Sequence, residues 1–147
     1  MLGYGYQNSF TLVGSKVGTT RTSVALTTGY DVADKTKIFA TGGMSKIDIG
    51  ILYTTGAAET NNSVEVRVRA SGDGVNFYQI VNESASSGVS TLYQREFTFV
   101  GASAATAYSF SLPLDVWNEY MEVSVKESGV AANAGNVYVE ATLSGGA

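Results

Sequence analysis

From residue 36 onward, apolar and polar residues alternate in run after run, the period of a strand with one face buried. The cleanest run opens the stretch 63–80 (SVEVRVRASGDGVNFYQI). Val64, Val66 and Val68 fall on one face, and Glu65, Arg67 and Arg69 on the other, which predicts a half-buried strand with a charged outer surface. Ser71-Gly72-Asp73-Gly74 then reverses the chain, since Gly takes positive φ freely and Asp bonds its own backbone. A loop centred on Asp73 sets Val66 opposite Ile80 and Val68 opposite Tyr78, and leaves Phe77 facing outward beside Arg69.

The same alternation places Ile47, Ile49, Ile51 and Tyr53 on one side of their run, and Tyr93, Phe97 and Phe99 on one side of theirs. It recurs in Tyr108, Phe110, Leu112 and Leu114, in Met121, Val123 and Val125, and over residues 136–143. Pro113 has no N–H to give a ladder, so its strand ends there or lies at an edge. Small-residue loops at 55–62, 82–88, 101–106 and 128–135 separate the runs, the second of them exposed and mobile. Eight or nine short strands without a helix predict an all-β fold, an antiparallel two-sheet sandwich that is jelly-roll-like or Ig-like. Its core should hold the valines, isoleucines, Phe97, Phe99 and Met121 named above.

Residues 1–35 differ. They carry Gly3, Gly5, Gly14, Gly18 and Gly29 among many hydroxyls, with Tyr4, Tyr6 and Tyr30. One reading is a first sheet strand behind a frayed terminus. The other is an extended arm that sets Tyr4 and Tyr6 against a neighbouring subunit, as tyrosine offers large contact area with few rotamers. The division that follows is an arm with short edge strands over 1–35 and a sandwich over 36–147.

Composition narrows the chemistry. At 147 residues the chain fits one domain, and only 15% of it is charged, with a net charge of −4 and no basic stripe for phosphates, so nucleic acid is not an expected partner. Cysteine and histidine are both absent, which removes disulfides, thiolates, the usual general base and the commonest transition-metal ligand. No run approaches the roughly 20 apolar residues of a membrane-spanning helix, and residues 1–6 lack the basic start and apolar core of a signal peptide. A soluble product of a cytoplasm is the expectation.

Candidate sites are few. Asp31 and Asp34 offer two carboxylates to calcium, against the plainer reading of a solvated turn. Glu119 and Glu122 read as solvated surface, and Trp117 either caps the core or stacks on a sugar. No serine is coupled to a base. The chain therefore reads as no enzyme, with no catalytic, cofactor or metal residues.

Two stretches carry a resemblance. Ser71-Gly72-Asp73-Gly74-Val75-Asn76-Phe77 resembles the hairpin of discoidin-type, galactose-binding-like sandwiches, and Tyr120-Met121-Glu122-Val123-Ser124-Val125 is similar to a later strand of that fold. Both motifs, and the order of elements over roughly 44–143, look more like β-sandwich virion proteins of tailed bacteriophages. The chain lacks the histidine and the arginine-plus-aromatic loop of sugar-binding relatives. The resemblance implies a capsid decoration (cement) protein, made in the host cytoplasm and carried on the capsid surface of the virion. Its partners would be the major capsid protein or another virion protein and further copies of itself, with no nucleic acid and no membrane. The alternatives are a carbohydrate-binding or adhesin module and a tail or baseplate component. Tyr4, Tyr6, Tyr30, Phe77 and Arg69 are the candidate interface residues.

Overall fold

The computed structural model describes residues 6–77, 80–81, 92–93 and 95–145. Its strands are β1 (Tyr6–Val13), β2 (Ser15–Val17), β3 (Thr20–Thr22), β4 (Val24–Ala25), β5 (Thr36–Ala40), β6 (Lys46–Thr54) and β7 (Asn62–Ser71). They continue with β8 (Ile80–Val81), β9 (Leu92–Tyr93), β10 (Arg95–Gly101), β11 (Ala107–Asp115), β12 (Tyr120–Ser128) and β13 (Asn136–Gly145). The one helical piece among the described residues is a 3-10 turn at Ala33–Lys35.

Two antiparallel sheets form the body. One runs β1-β13-β6-β11, with β4 continuing the β1 edge along β13; the other runs β10-β7-β12-β5. Successive long strands alternate between the sheets, apart from the step from β7 to β10. An Ig-type sandwich keeps more of its neighbours within one sheet. This connectivity, with the last strand β13 beside the first strand β1, is that of a jelly roll.

The faces are those the alternation predicts. Ile47, Ile49, Ile51, Tyr53, Val137, Val139, Ala141 and Leu143 meet Val64, Val66, Val68, Met121, Val123 and Val125 between the layers, each nearly or wholly buried. Phe97 and Phe99 are only half-buried against that core. Pro113 lies on β11, an edge strand.

The predicted hairpin register is wrong. Val66 lies between Phe97 on β10 and Val125 on β12, not opposite Ile80. Ile80 pairs with Tyr93 in a separate two-stranded piece, and Tyr78 lies outside the described residues, as does the loop at 82–88. The turn itself is there. Asp73 Oδ1 accepts from Val75 N and Asn76 N, both at 2.8 Å, and Ser71 Oγ accepts from Gly74 N. Those bonds are local, whereas β7 sits inside its sheet and its partners are chosen by the buried apolar area on both flanks.

Residues 6–13 are β1, paired along β13 with a bulge between Thr11 and Val13, and Leu12 and Val13 are buried. The β2–β3 hairpin, which the alternation did not predict, turns at Gly18 (φ +60). It approaches the outer face of the same sheet. Arg21 reaches Glu140 at 3.0 Å and stands 5.8 Å from the Tyr138 ring. Of the remaining arm residues, Tyr4 lies outside the described residues.

One end of the sandwich is tied by buried acids. The Glu59 carboxylate accepts the backbone N–H groups of Ala132 (2.6 Å), Asn133 (2.7 Å) and Ala131 (3.2 Å), which hold its carboxyl below the usual range. Glu127, 1% exposed, accepts the Tyr53 hydroxyl and Gly135 N.

Candidate functional site

The strongest concentration of charge lies on the outer face of the four-stranded sheet. Cross-strand pairing puts Arg69 beside Glu122, Arg67 between Glu96 and Ser124, and Glu65 beside Lys126. Arg69 grips Glu122 with two bonds, Nε at 2.8 Å and Nη2 at 2.9 Å, and Arg67 Nη2 adds a third at 3.1 Å. Lys126 Nζ reaches Glu65 at 3.2 Å.

This face is covered from within the chain. Asp31, in the left-handed region at φ 68, bonds the Arg67 guanidinium and donates its N–H to Ser124 Oγ at 3.3 Å. Asp is among the residues that tolerate that conformation. The Tyr30 ring lies 4.8 Å from Arg67 and 4.7 Å from Lys126, a cation on each approach.

The predicted charged outer surface is therefore only partly solvated, with Arg69 and Glu65 side chains 23% and 25% exposed and its centre buried. Arg67 is 5% exposed and Glu122 is 4% exposed. Glu122, expected as solvated surface, is instead the buried hub of two arginines. Alternation shows which face points away from the core; it does not show that a segment 36 residues upstream will lie on it.

Electrostatics follow from the packing. The Arg67 hydrogen bond holds the Asp31 carboxyl below its usual range. Burial, with the nearby Glu96 and Glu65 charges, pushes the Tyr30 hydroxyl well above its usual value, so it stays neutral. Among the described residues, Tyr30 Oη and Arg67 Nε are buried without a hydrogen-bond partner. The two aspartates weighed for calcium are engaged separately, Asp31 by Arg67 and Asp34 by Lys35 at 2.7 Å. No group of three or more metal-ligating side chains comes together among the described residues.

Three of the candidate interface residues meet here. Tyr30 and Asp31 cover Arg67, and Arg69 stands 5.5 Å over the Phe77 ring. Tyr6 begins β1, on the other sheet. Arg67 and Glu122, read from the sequence as outer-face and solvated residues and not as interface candidates, and Lys126, which was not singled out, complete the cluster through the pairing of β7 with β12.

A second surface includes two residues expected in the core, Phe97 and Phe99. On the side where β10 and β11 form the sheet edges, Phe97, Phe99, Tyr108 and Phe110 stay half-buried. Phe99 stacks on Phe110 at 4.8 Å, Phe110 lies 6.1 Å from Tyr108, and Arg95 covers Trp117 at 4.7 Å. Trp117 also packs on the core, so it caps the sandwich end and one approach to its ring is occupied. On the opposite side, Phe10 meets Phe39 edge-on at 5.1 Å, and there Phe39 is 8% exposed.

A groove of about 290 Å³ separates β1 from the β2–β3 hairpin, lined by Ser9, Phe10, Thr11, Lys16, Gly18 and Glu140. Its hydroxyls are engaged with neighbours: Ser9 with Thr142 and Thr11 with Tyr138, each at 2.9 Å.

No protein-family model matches the chain, and no curated protein sequence matches it. Among solved structures, it is similar to dimeric latent PorU from Porphyromonas gingivalis, with TM-score 0.46 and 10% identity over 97% of this chain and 13% of that one. It is also similar to the structure of the infectious bursal disease virus Gx strain, with TM-score 0.37 and 12% identity over 97% of this chain and 34% of that one. Likenesses this distant decide no function.

Proposed function

We propose that the chain is a non-enzymatic structural protein of a tailed-phage virion, a capsid decoration or cement subunit that binds the capsid lattice and further copies of itself. One observation carries the reading. The chain is a jelly roll in which most of the cations pair with carboxylates of the same chain, leaving hydroxyl-rich surfaces and strand edges for contact. Arg21, Lys35, Lys46, Arg67, Arg69 and Lys126 are each paired with a carboxylate of the same chain. The buried acids Glu59 and Glu127 hold loops and strands together rather than facing a cleft. Jelly rolls serve both as capsid domains and as lectins, so the fold alone does not choose.

The test is attachment. Purified chain is mixed with capsids from the phage that encodes it, prepared without the chain, and sedimented. Saturable binding at a fixed number of copies per capsid, with matching density in electron microscopy, is the expected result. Failure to bind capsids, tails or baseplates would end the virion reading, and binding only to tails or baseplates would move it there. The second reading is a carbohydrate-binding module, favoured by the hydroxyl-lined groove at Ser9, Thr11 and Glu140. Retention on a glycan array that Glu140→Gln abolishes would establish it.

A further inference from the structure

Among the described residues the sandwich has four sheet edges, and they are not alike. An unpaired edge invites another strand, and proteins blunt it with bulges, lysine or proline. The β1 edge carries a bulge between Thr11 and Val13. The β5 edge carries the exposed Lys37, and β11 carries Pro113. On β10 the charges Arg95 and Glu96 sit at one end, and residues 97–101 (FTFVG) contain no proline, lysine or charge. Its register with β7 runs unbroken from Arg95 to Gly101. Beside it lies the aromatic seam of Phe97, Phe99, Tyr108 and Phe110, half-buried where a core row would be closed.

We propose that the β10 edge and this seam form a two-fold contact with a second copy of the chain, joining two four-stranded sheets into one. An isologous contact needs a self-complementary strand. The antiparallel register that overlaps all seven residues of β10 has its axis through Thr98. It sets Phe97 of one copy opposite Phe99 of the other, a cross-strand aromatic pair made twice. Glu96 falls opposite Val100 and Arg95 opposite Gly101, so no like charges face each other. Aromatic residues beside arginine are also the composition that interfaces favour.

The area sets the strength. A seven-residue edge is about 23 Å long, and two layers about 10 Å apart with their side chains present about 20 Å across. That covers roughly 450 Å² per copy and roughly 900 Å² in all, at the weak end of specific interfaces. The dimer should therefore be concentration-dependent in free solution. The contact rests on the self-association half of the proposed function and not on capsid attachment, so failure to bind capsids leaves it standing, and a monomeric chain removes self-association alone.

The test uses Val100, which is 52% exposed and can change charge without disturbing the core. Sedimentation equilibrium from about 10 µM to about 1 mM should show a monomer–dimer equilibrium. Val100→Lys places an ammonium opposite each Glu96 and should tighten Kd; Val100→Glu places carboxylates face to face and should weaken it. Two cross-strand pairs per dimer shift Kd by about 2- to 25-fold in each direction. Unchanged circular dichroism in both variants keeps the comparison clean. A chain that stays monomeric throughout, or variants that leave Kd unmoved or shift it in the same direction, overturns the proposal.

Discussion

Arg67→Met isolates what holds the outer face of the four-stranded sheet. Methionine keeps most of the stem volume and removes the guanidinium, so the loss reports the charge rather than the packing. Breaking one partner from a buried ion pair usually costs about 3–5 kcal/mol, because the other charge is left alone. Glu122 would not be alone. Arg69 still holds it with bonds at 2.8 and 2.9 Å, and only the 3.1 Å bond from Arg67 disappears. Asp31 contributes little, since its side chain is 64% exposed and water screens the pair. Tyr30 loses one of its two cations but keeps Lys126 at 4.7 Å. The expected loss is about 2–3 kcal/mol, or about 4–12 °C in Tm for a chain of this length. Urea unfolding at pH 7 measures it, and the cycle with Glu122→Met and the double variant separates the Arg67–Glu122 coupling. The double variant should lose less than the sum of the singles, since the Arg67–Glu122 bond is lost in each single variant and only once in the double. A loss under about 0.5 kcal/mol for Arg67→Met, or strict additivity, would show that the buried charges do not act together.

Three other perturbations probe the rest of the framework. Val66→Asp buries an unpaired carboxylate at a position with 0% exposure, costing several kcal/mol, on the order of the total stability; a soluble, cooperatively unfolding variant would contradict the assignment of faces. Gly135→Ala would set a methyl 2.5 Å from Thr54 O and 2.6 Å from Glu127 Oε2, so the variant should fold poorly, and a wild-type melting curve would contradict the close approach. The folded carboxyls of Glu59 and Asp31 titrate below their ordinary values of 4.5 and 3.8. Their contribution is thus present above about pH 4.5 and is lost as pH falls through the lowered folded values. Urea midpoints should drop between pH 5 and pH 3, less steeply in Glu59→Gln, and equal slopes would remove Glu59 from the acid response.

The faces of the strands were legible because one buried side per strand leaves a period of two, as in Ile47, Ile49 and Ile51. Pairing was not. The Ser71–Gly74 turn has strong local chemistry, yet β7 pairs with β10 and β12, strands that lie far along the chain and are selected by buried area. Arg69 and Phe77 do meet, although the register that predicted it was wrong; Phe77 reaches Arg69 from the loop beyond Asp73. The burial of Arg67 and Glu122 left no mark in their own strands. Its signal lay upstream, where Gly29 precedes Tyr30 and Asp31, and nothing local ties that turn to the sheet. The aromatic seam was visible as apolar alternation, while its partial exposure comes only from β10 and β11 being edges.

The choice between a lattice subunit and a sugar binder turns on which polar groups remain free to serve a ligand. A saccharide needs donors and acceptors that exchange water for sugar hydroxyls at little cost. In the groove between β1 and the hairpin, Ser9 already bonds Thr142, Thr11 bonds Tyr138, and both oxygens of Glu140 are held by Arg21. A sugar entering there would have to break these bonds before making its own, and each exchange of one hydrogen bond for another returns little net free energy. Trp117, the natural stacking platform, already has Arg95 over its ring. Edges and half-buried aromatics are in the opposite condition: among the described residues β10 has an open ladder and an open seam, and a protein surface supplies partners for both at once. This asymmetry weighs on the side of protein–protein assembly. It also predicts that variants of Ser9, Thr11 or Glu140 act on stability first, whereas variants of Val100 act on association and leave stability unchanged.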